Sequence, residues 1–273
     1  MIDAHVHFWR VARGDNALHP ASQLYRDFEP AELAPQLAAA SVDRIVVVQA
    51  AASTHAENLY TIGLAGRFSF IAGVVAWIDP GSAALEEEIA ALKSTGVVRG
   101  FRPIRNENMS IAWMADPGLR RGYDTIAAAG MTLDVLLENP EQLPLVSGLA
   151  RDHPALSIIL DHCGKPDIAG GRMAPWARDI DRVAAFPNVT CKFSGLLGRA
   201  APGADTADIW PYASHVLDDF GAARLMWVSD WPPLTLAADY ARWRRISAEL
   251  AAHLDAEDTA SLFSGTAARV YSL

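Results

Sequence analysis

Cysteine is scarce in this chain. Only Cys163 and Cys191 occur among 273 residues, both in apolar surroundings, which argues against a disulfide framework and suits a reducing compartment. No apolar run approaches the roughly 18 residues that a membrane span needs, and Met1-Ile2-Asp3 lacks the basic and apolar regions of a secretory signal. A cytoplasmic location is the expectation. Positive charge is also in deficit: 23 basic residues stand against 32 acidic ones, for a net charge of −9, and the basic residues are scattered. Such a chain is poorly equipped to neutralise a phosphate backbone, so neither nucleic acid nor a membrane is expected as a partner. Low-complexity tracts are missing, and no glycine-rich phosphate loop follows the first strand candidate, which counts against a dinucleotide-binding fold.

What is present is a core and a rhythm. Hydrophobic residues make up 51% and charged residues 20%, and the length suits one α/β barrel, which typically takes about 250 residues. Residues 1–273 are therefore read as a single domain. Apolar strand candidates at 1–7, 44–50, 68–77, 97–101, 131–137, 156–161, 189–193 and 225–230 alternate with helical stretches. The run Ile45-Val46-Val47-Val48 is apolar on both faces, as expected of a parallel strand covered on both sides. Glu29-Pro30, Asp79-Pro80, Asp116-Pro117 and Asn139-Pro140 read as helix entries with proline in the first turn. Gln142 stands at a capping-box position, and Leu143, Val146 and Leu149 should face inward. Eight strands, each followed by a helix, predict an α/β fold of the (β/α)8 TIM barrel type.

The chain is organised around Met1-Ile2-Asp3-Ala4-His5-Val6-His7. Strand alternation predicts that His5 and His7 share one face, with Ile2, Ala4 and Val6 on the other. Two imidazoles so placed could hold a divalent metal, or one could position a substrate while the other moves a proton. Barrel enzymes build their sites at the C-terminal strand ends, and that rim collects His5, His7, Arg102, Arg105, Asp161, His162, Lys192 and Asp230. Each has a dull alternative, such as a surface ion pair for Arg102, a snorkelling stem for Lys192 or a turn cap for Asp230. Their convergence on one rim is what those alternatives do not supply. His55, His153, His215 and His253 lie away from the strand ends and are expected at the surface.

Four segments in order, Asp3-Ala4-His5-Val6-His7-Phe8-Trp9, Asp161-His162-Cys163-Gly164-Lys165-Pro166, Cys191-Lys192-Phe193-Ser194-Gly195-Leu196 and Ser229-Asp230-Trp231-Pro232, resemble the amidohydrolase superfamily. The resemblance is nearest to its sugar-acid lactonases. It implies a lactonase acting on a small-molecule lactone, with Asp230 as general base towards water and Arg102, His162 or a metal stabilising the oxyanion. Substrate contacts are expected from His5, His7, Arg102, Arg105 and Lys192, with Trp9 and Trp210 walling the pocket. It further implies at most one divalent ion, zinc first, on His5, His7, His162 and Asp230; a metal-independent site is the other option. The strand-five histidine usual in metal-dependent relatives and the bridging lysine after strand four of binuclear ones are replaced by Leu136-Leu137-Glu138 and Phe101-Arg102-Pro103. Two further readings stand beside this one: a metal-dependent decarboxylase of an unsaturated or aromatic acid on the same fold, and a non-catalytic sugar-acid binder. A homo-oligomer is left open.

Overall fold

The computed structural model describes residues 1–14, 18–50, 54–103 and 111–273. Eight parallel strands follow one another in chain order: β1 (Ile2–Val6), β2 (Arg44–Val48), β3 (Ile71–Ala76), β4 (Val98–Phe101), β5 (Thr132–Val135), β6 (Ser157–Leu160), β7 (Val189–Phe193) and β8 (Leu225–Trp227). The last strand returns to the first. Val6 bridges Trp231, the His7 N–H donates to the Trp231 carbonyl at 2.8 Å, and the Asp230 N–H donates to the His5 carbonyl at 3.0 Å. The predicted (β/α)8 barrel is thus observed, with its seam running through the candidate catalytic residues.

The shell contains α1 (Pro30–Ala39), α2 (His55–Ala65), α3 (Leu85–Ser94), α4 (Arg120–Ala128), α5 (Leu143–Asp152), α6 (Met173–Ala184), α7 (Leu196–Arg199), α8 (Thr206–Phe220), α9 (Tyr240–Leu250), α10 (Ala256–Ala260) and α11 (Thr266–Val270). One strand face packs on these helices: Ile45, Val47, Leu133, Ile158, Leu160 and Trp227 meet Leu33, Leu143, Val146, Ile180 and Ile246. The other face fills the barrel, where Val46, Val48, Val75, Ile159, Met226 and Val228 meet Ala267 and Tyr271 at the C-terminal end of the chain. Full burial of each such aliphatic side chain is worth about 1.5–3 kcal/mol.

Leu143, Val146 and Leu149 are buried as predicted. Asp79-Pro80 does not open a helix. The Asp79 carboxylate instead accepts from the Gly81 N–H at 2.8 Å, and α3 begins only at Leu85. Asp79 closes an Asx-type turn here and not the first turn of a helix. The Gln142 amide does reach back, but to the N–H of Glu138 rather than that of Asn139. The irregular segment after β1 is tied at its neck, where Trp9 and Phe28 exchange both backbone hydrogen bonds, at 3.0 and 2.9 Å.

Candidate active site

Simple alternation fails in β1, and the failure builds the site. Asp3 pairs with Ile45 but Val6 pairs with Val47, so β1 carries one residue more than β2 over this stretch, a β-bulge that re-aims side chains. Ile2 and Ala4 pack inside the barrel, whereas Val6 lies in the outer layer with the helices. His5 follows Ala4 inward, and His7 joins it beyond Val6. Their Nε2 atoms stand 3.0 Å apart. The His7 Nδ1–H donates to the Val48 carbonyl at 2.8 Å, which leaves its Nε2 lone pair pointing at the centre of the site.

Asp230 reaches the same point from the end of β8, with φ at 60°, a left-handed conformation that aspartate tolerates better than most L-residues. One carboxylate oxygen, Oδ1, lies 3.3 Å from His7 Nε2 and 3.7 Å from His5 Nε2; the other, Oδ2, lies 3.7 Å from His162 Nε2. Burial raises the pKa of this carboxyl, but the imidazoles of His162, His7 and His5 outweigh it and hold the group well below the usual carboxylate range. The surroundings therefore favour the carboxylate form of Asp230.

Beneath these groups lies a buried ionic network. Arg102 donates to Asp161 Oδ2 at 2.9 Å and to the Gln49 carbonyl at 2.6 Å. Lys192 Nζ pairs with Asp161 Oδ1 at 2.9 Å and donates to Asp134 Oδ2 at 2.5 Å, which also accepts from the Tyr271 hydroxyl at 2.8 Å. Lys192 Nζ is also 2.9 Å from His5 Nδ1. Burial raises Asp134 against the pull of Lys192, while Asp161, surrounded by Lys192, His5 and Arg102, stays well below the ordinary range despite its own burial. Burial and the Lys192 charge together push His5 well below its usual pKa, so its imidazole is neutral.

The turn after β6 is left-handed. His162, Cys163, Gly164 and Lys165 have φ of 54°, 50°, 65° and 54°. Each non-glycine residue so placed costs about 1–2 kcal/mol, and such strain persists where the surroundings over-determine it. Here they do: the His162 ring is 2.8 Å from the Ser194 hydroxyl, Trp176 donates to the Cys163 carbonyl at 2.9 Å, and Gly195 comes so near that a Cβ on it would lie 2.7 Å from His162 Cβ. Gly164 donates to the Asp161 carbonyl and Lys165 to that of His162. Hydrogen bonds spaced by three eclipse side chains three apart, which is why His162 and Lys165 emerge on one side.

These groups surround a cavity of about 260 Å³, lined by His7, Trp9, Arg102, His162, Lys165 and Asp230 with Leu18, Leu24, Leu136 and Pro233. That is below the roughly 300–1,000 Å³ of drug-sized pockets, so the space bounded by the described residues suits one small ring. Of the residues expected at the site, His7, Trp9, Arg102, His162 and Asp230 line this cavity. Others lie elsewhere. Lys192 is fully buried and faces Asp134 and Asp161, because β7 turns it into the barrel below the mouth. His5 is equally buried, behind His7. Trp210 sits in the helical shell, its ring 4.7 Å from that of His253, and does not line the cavity. Arg102 lines it but gives hydrogen bonds to Asp161 and Gln49. Arg105 lies outside the described residues. Lys165 was overlooked as a site residue, although its spacing from His162 across Gly164 is the signature of a tight turn.

Tetrahedral coordination with bonds of about 2.0–2.1 Å sets ligand atoms about 3.3 Å apart. His5 Nε2, His7 Nε2 and Asp230 Oδ1 are 3.0, 3.3 and 3.7 Å apart, so these three fit one divalent ion, with zinc suited to the donor types. His162 falls outside that set because it faces the opposite carboxylate oxygen. It can be grouped with His5 and Asp161, but Asp161 is already held by Arg102 and Lys192.

A sequence profile described as amidohydrolase matches residues 2–273. An L-fucono-1,5-lactonase of Burkholderia ambifaria is 41% identical over 247 residues, covering 89% of this chain and 84% of its own. One from Burkholderia multivorans is 35% identical, covering 100% of this chain and 96% of its own. The crystal structure of an amidohydrolase from Burkholderia multivorans with bound zinc superposes with a TM-score of 0.92 at 34% identity, covering 100% of this chain and 99% of that one.

Proposed function

The chain belongs to the amidohydrolase family, and from that premise we propose that it opens a small sugar-acid lactone by adding water to the carbonyl. The observation that carries this reading is the Asp230 carboxylate, whose oxygens lie within 3.7 Å of three imidazoles at the edge of a cavity the size of one ring. Among the described residues no hydroxyl or thiol lines the cavity beside this base, which suits direct attack by water. Cys163 and Cys191 are fully buried free thiols, which suits a cytoplasmic enzyme and leaves no sulfur for covalent chemistry. Among the described residues no helix is long and apolar enough to cross a membrane.

In this mechanism Asp230 removes a proton from water as the water oxygen bonds to the lactone carbonyl carbon. Collapse breaks the ring carbon–oxygen bond, and Asp230 returns the proton to the ring oxygen. His162, held by Ser194, stabilises charge on the side of Oδ2. His7 orients water or substrate, while His5 and the network under it fix His7 and Asp230. General-base help of this kind contributes about 10²–10⁴ in rate. An ion held by His5, His7 and Asp230 would, when bound, polarise the carbonyl or the attacking water.

The first substrate to try is L-fucono-1,5-lactone, because the two Burkholderia relatives bear its name. Titration at constant pH with a panel of aldonolactones should show base uptake with the wild-type protein. Carbon dioxide release from an unsaturated or aromatic acid, with no lactone opened, would favour the decarboxylase reading instead.

A further inference from the structure

Among the described residues, one cation facing the cavity is uncommitted. Arg102 is engaged by Asp161 and Gln49, and Lys192 is buried under His5. Lys165 lines the cavity, and its ammonium has no hydrogen bond or ion pair among the described residues. Burial depresses its pKa, although the charges of Asp161 and Asp230 pull the other way. Its backbone is held left-handed, in a turn whose spacing brings its side chain to the side of His162. A strained turn that ends by presenting an unpaired ammonium to a cavity, with a carboxylate base on the same cavity, leaves that ammonium without a function in the fold itself.

We propose that Lys165 is a catalytic residue whose ammonium receives the negative charge formed on the lactone carbonyl oxygen and then holds the carboxylate of the product. This rests on the hydrolytic reading above. As water gives its proton to Asp230 and its oxygen bonds to the carbonyl carbon, the π pair moves onto the carbonyl oxygen, beside Lys165 Nζ. The carbonyl re-forms as the ring carbon–oxygen bond breaks, and the ring oxygen takes the proton from Asp230. The new carboxylic acid loses its proton to solvent, and its carboxylate stays on Lys165 until release. The ammonium meets a neutral ester at the start and an anion afterwards, so its interaction strengthens along the reaction, which is what lowers a barrier.

The test compares wild type with Lys165→Asn, Lys165→Gly and Lys165→Arg. Asparagine and glycine accept a left-handed backbone, and arginine keeps the charge. With a lactone that the wild type hydrolyses, the Asn and Gly variants should lose about 10²–10³ in kcat, with KM changing much less and Arg recovering part of the loss. Competitive inhibition by the matching open-chain aldonate should weaken about tenfold or more in Asn and Gly, while binding of the neutral alditol stays unchanged. Wild-type kcat in folded Asn or Gly variants overturns the proposal, and so does an equal loss of affinity for aldonate and alditol. If wild type opens no lactone, the hydrolytic reading falls by itself, and calorimetric aldonate binding to wild type and variants still decides whether Lys165 holds the anion.

Discussion

The N–H of Asp230 donates to the carbonyl of His5 at 3.0 Å, so the base and the first-strand imidazole are spaced by the backbone ladder that closes the barrel. Neither can shift without opening the seam. Asp230→Asn keeps both the backbone conformation, which asparagine accepts, and the side-chain shape. It replaces the proton-accepting carboxylate by a neutral amide. Turnover of a lactone substrate should fall about 10²–10⁴ with the thermal midpoint nearly unchanged. A folded variant with near wild-type kcat would eliminate the assigned role.

The network below the site should answer to a different assay. Lys192→Met removes the partner shared by Asp134 and Asp161, both fully buried. Breaking a buried pair by deleting one member costs about 3–5 kcal/mol, read as a lower urea midpoint. Adding Asp134→Asn removes one stranded carboxylate and should restore part of the loss. If the two changes are simply additive in a double-mutant cycle, Lys192 and Asp134 are not coupled as the 2.5 Å contact implies.

The barrel could be read from the sequence because its signals are local and repeat: apolar runs covered on both sides, separated by helices, each recurring along the chain. The rim residues followed from that, since a side chain ending a strand must lie at the mouth. What could not be read was direction over one residue. The bulge in β1 depends on pairing with β2, some forty residues away, and it sends Val6 outward while bringing His5 in. Lys192 was misplaced for a related reason: the strand end does not say at which depth of the barrel a side chain stops. Trp210 was assigned from its ring rather than from its helix, and Asp134 and Tyr271 escaped notice because they meet only across the barrel. Lys165 lay in a quoted motif, but its exposure to the cavity depends on a left-handed turn that its residue types, apart from Gly164, do not favour.

Asp3 gives a pH-dependent prediction. Its carboxylate accepts from the Ser229 N–H at 2.9 Å and from the Tyr240 hydroxyl at 2.8 Å, yet burial outweighs these bonds and raises its pKa from 3.8 to about 6. The native state therefore holds the proton more tightly than the unfolded chain does. The stabilisation is complete below the unfolded pKa and is lost as pH rises towards about 6, an effect of up to about 3 kcal/mol at roughly 1.4 kcal/mol per unit. Asp3→Asn lacks this titration. The stability of wild type relative to Asp3→Asn should decline between about pH 4 and pH 6 in denaturant titrations, and a difference that stays flat across that range would refute the shift.

Metal uptake separates the histidines from one another. His5, His7 and Asp230 offer ligand atoms at tetrahedral spacing, and His162 faces the far oxygen of Asp230. A second grouping lies on the surface, where His215 Nε2 is 2.7 Å from Asp181 and 3.3 Å from Asp219, so the measurement is best made in a His215→Ala background. Calorimetry with zinc should then show one site per chain, abolished by His7→Ala because His5 and Asp230 alone leave too few ligands, and retained by His162→Ala. Equal loss in the His7 and His162 variants would place His162 among the ligands, against the geometry that sets it on the other side of the carboxylate.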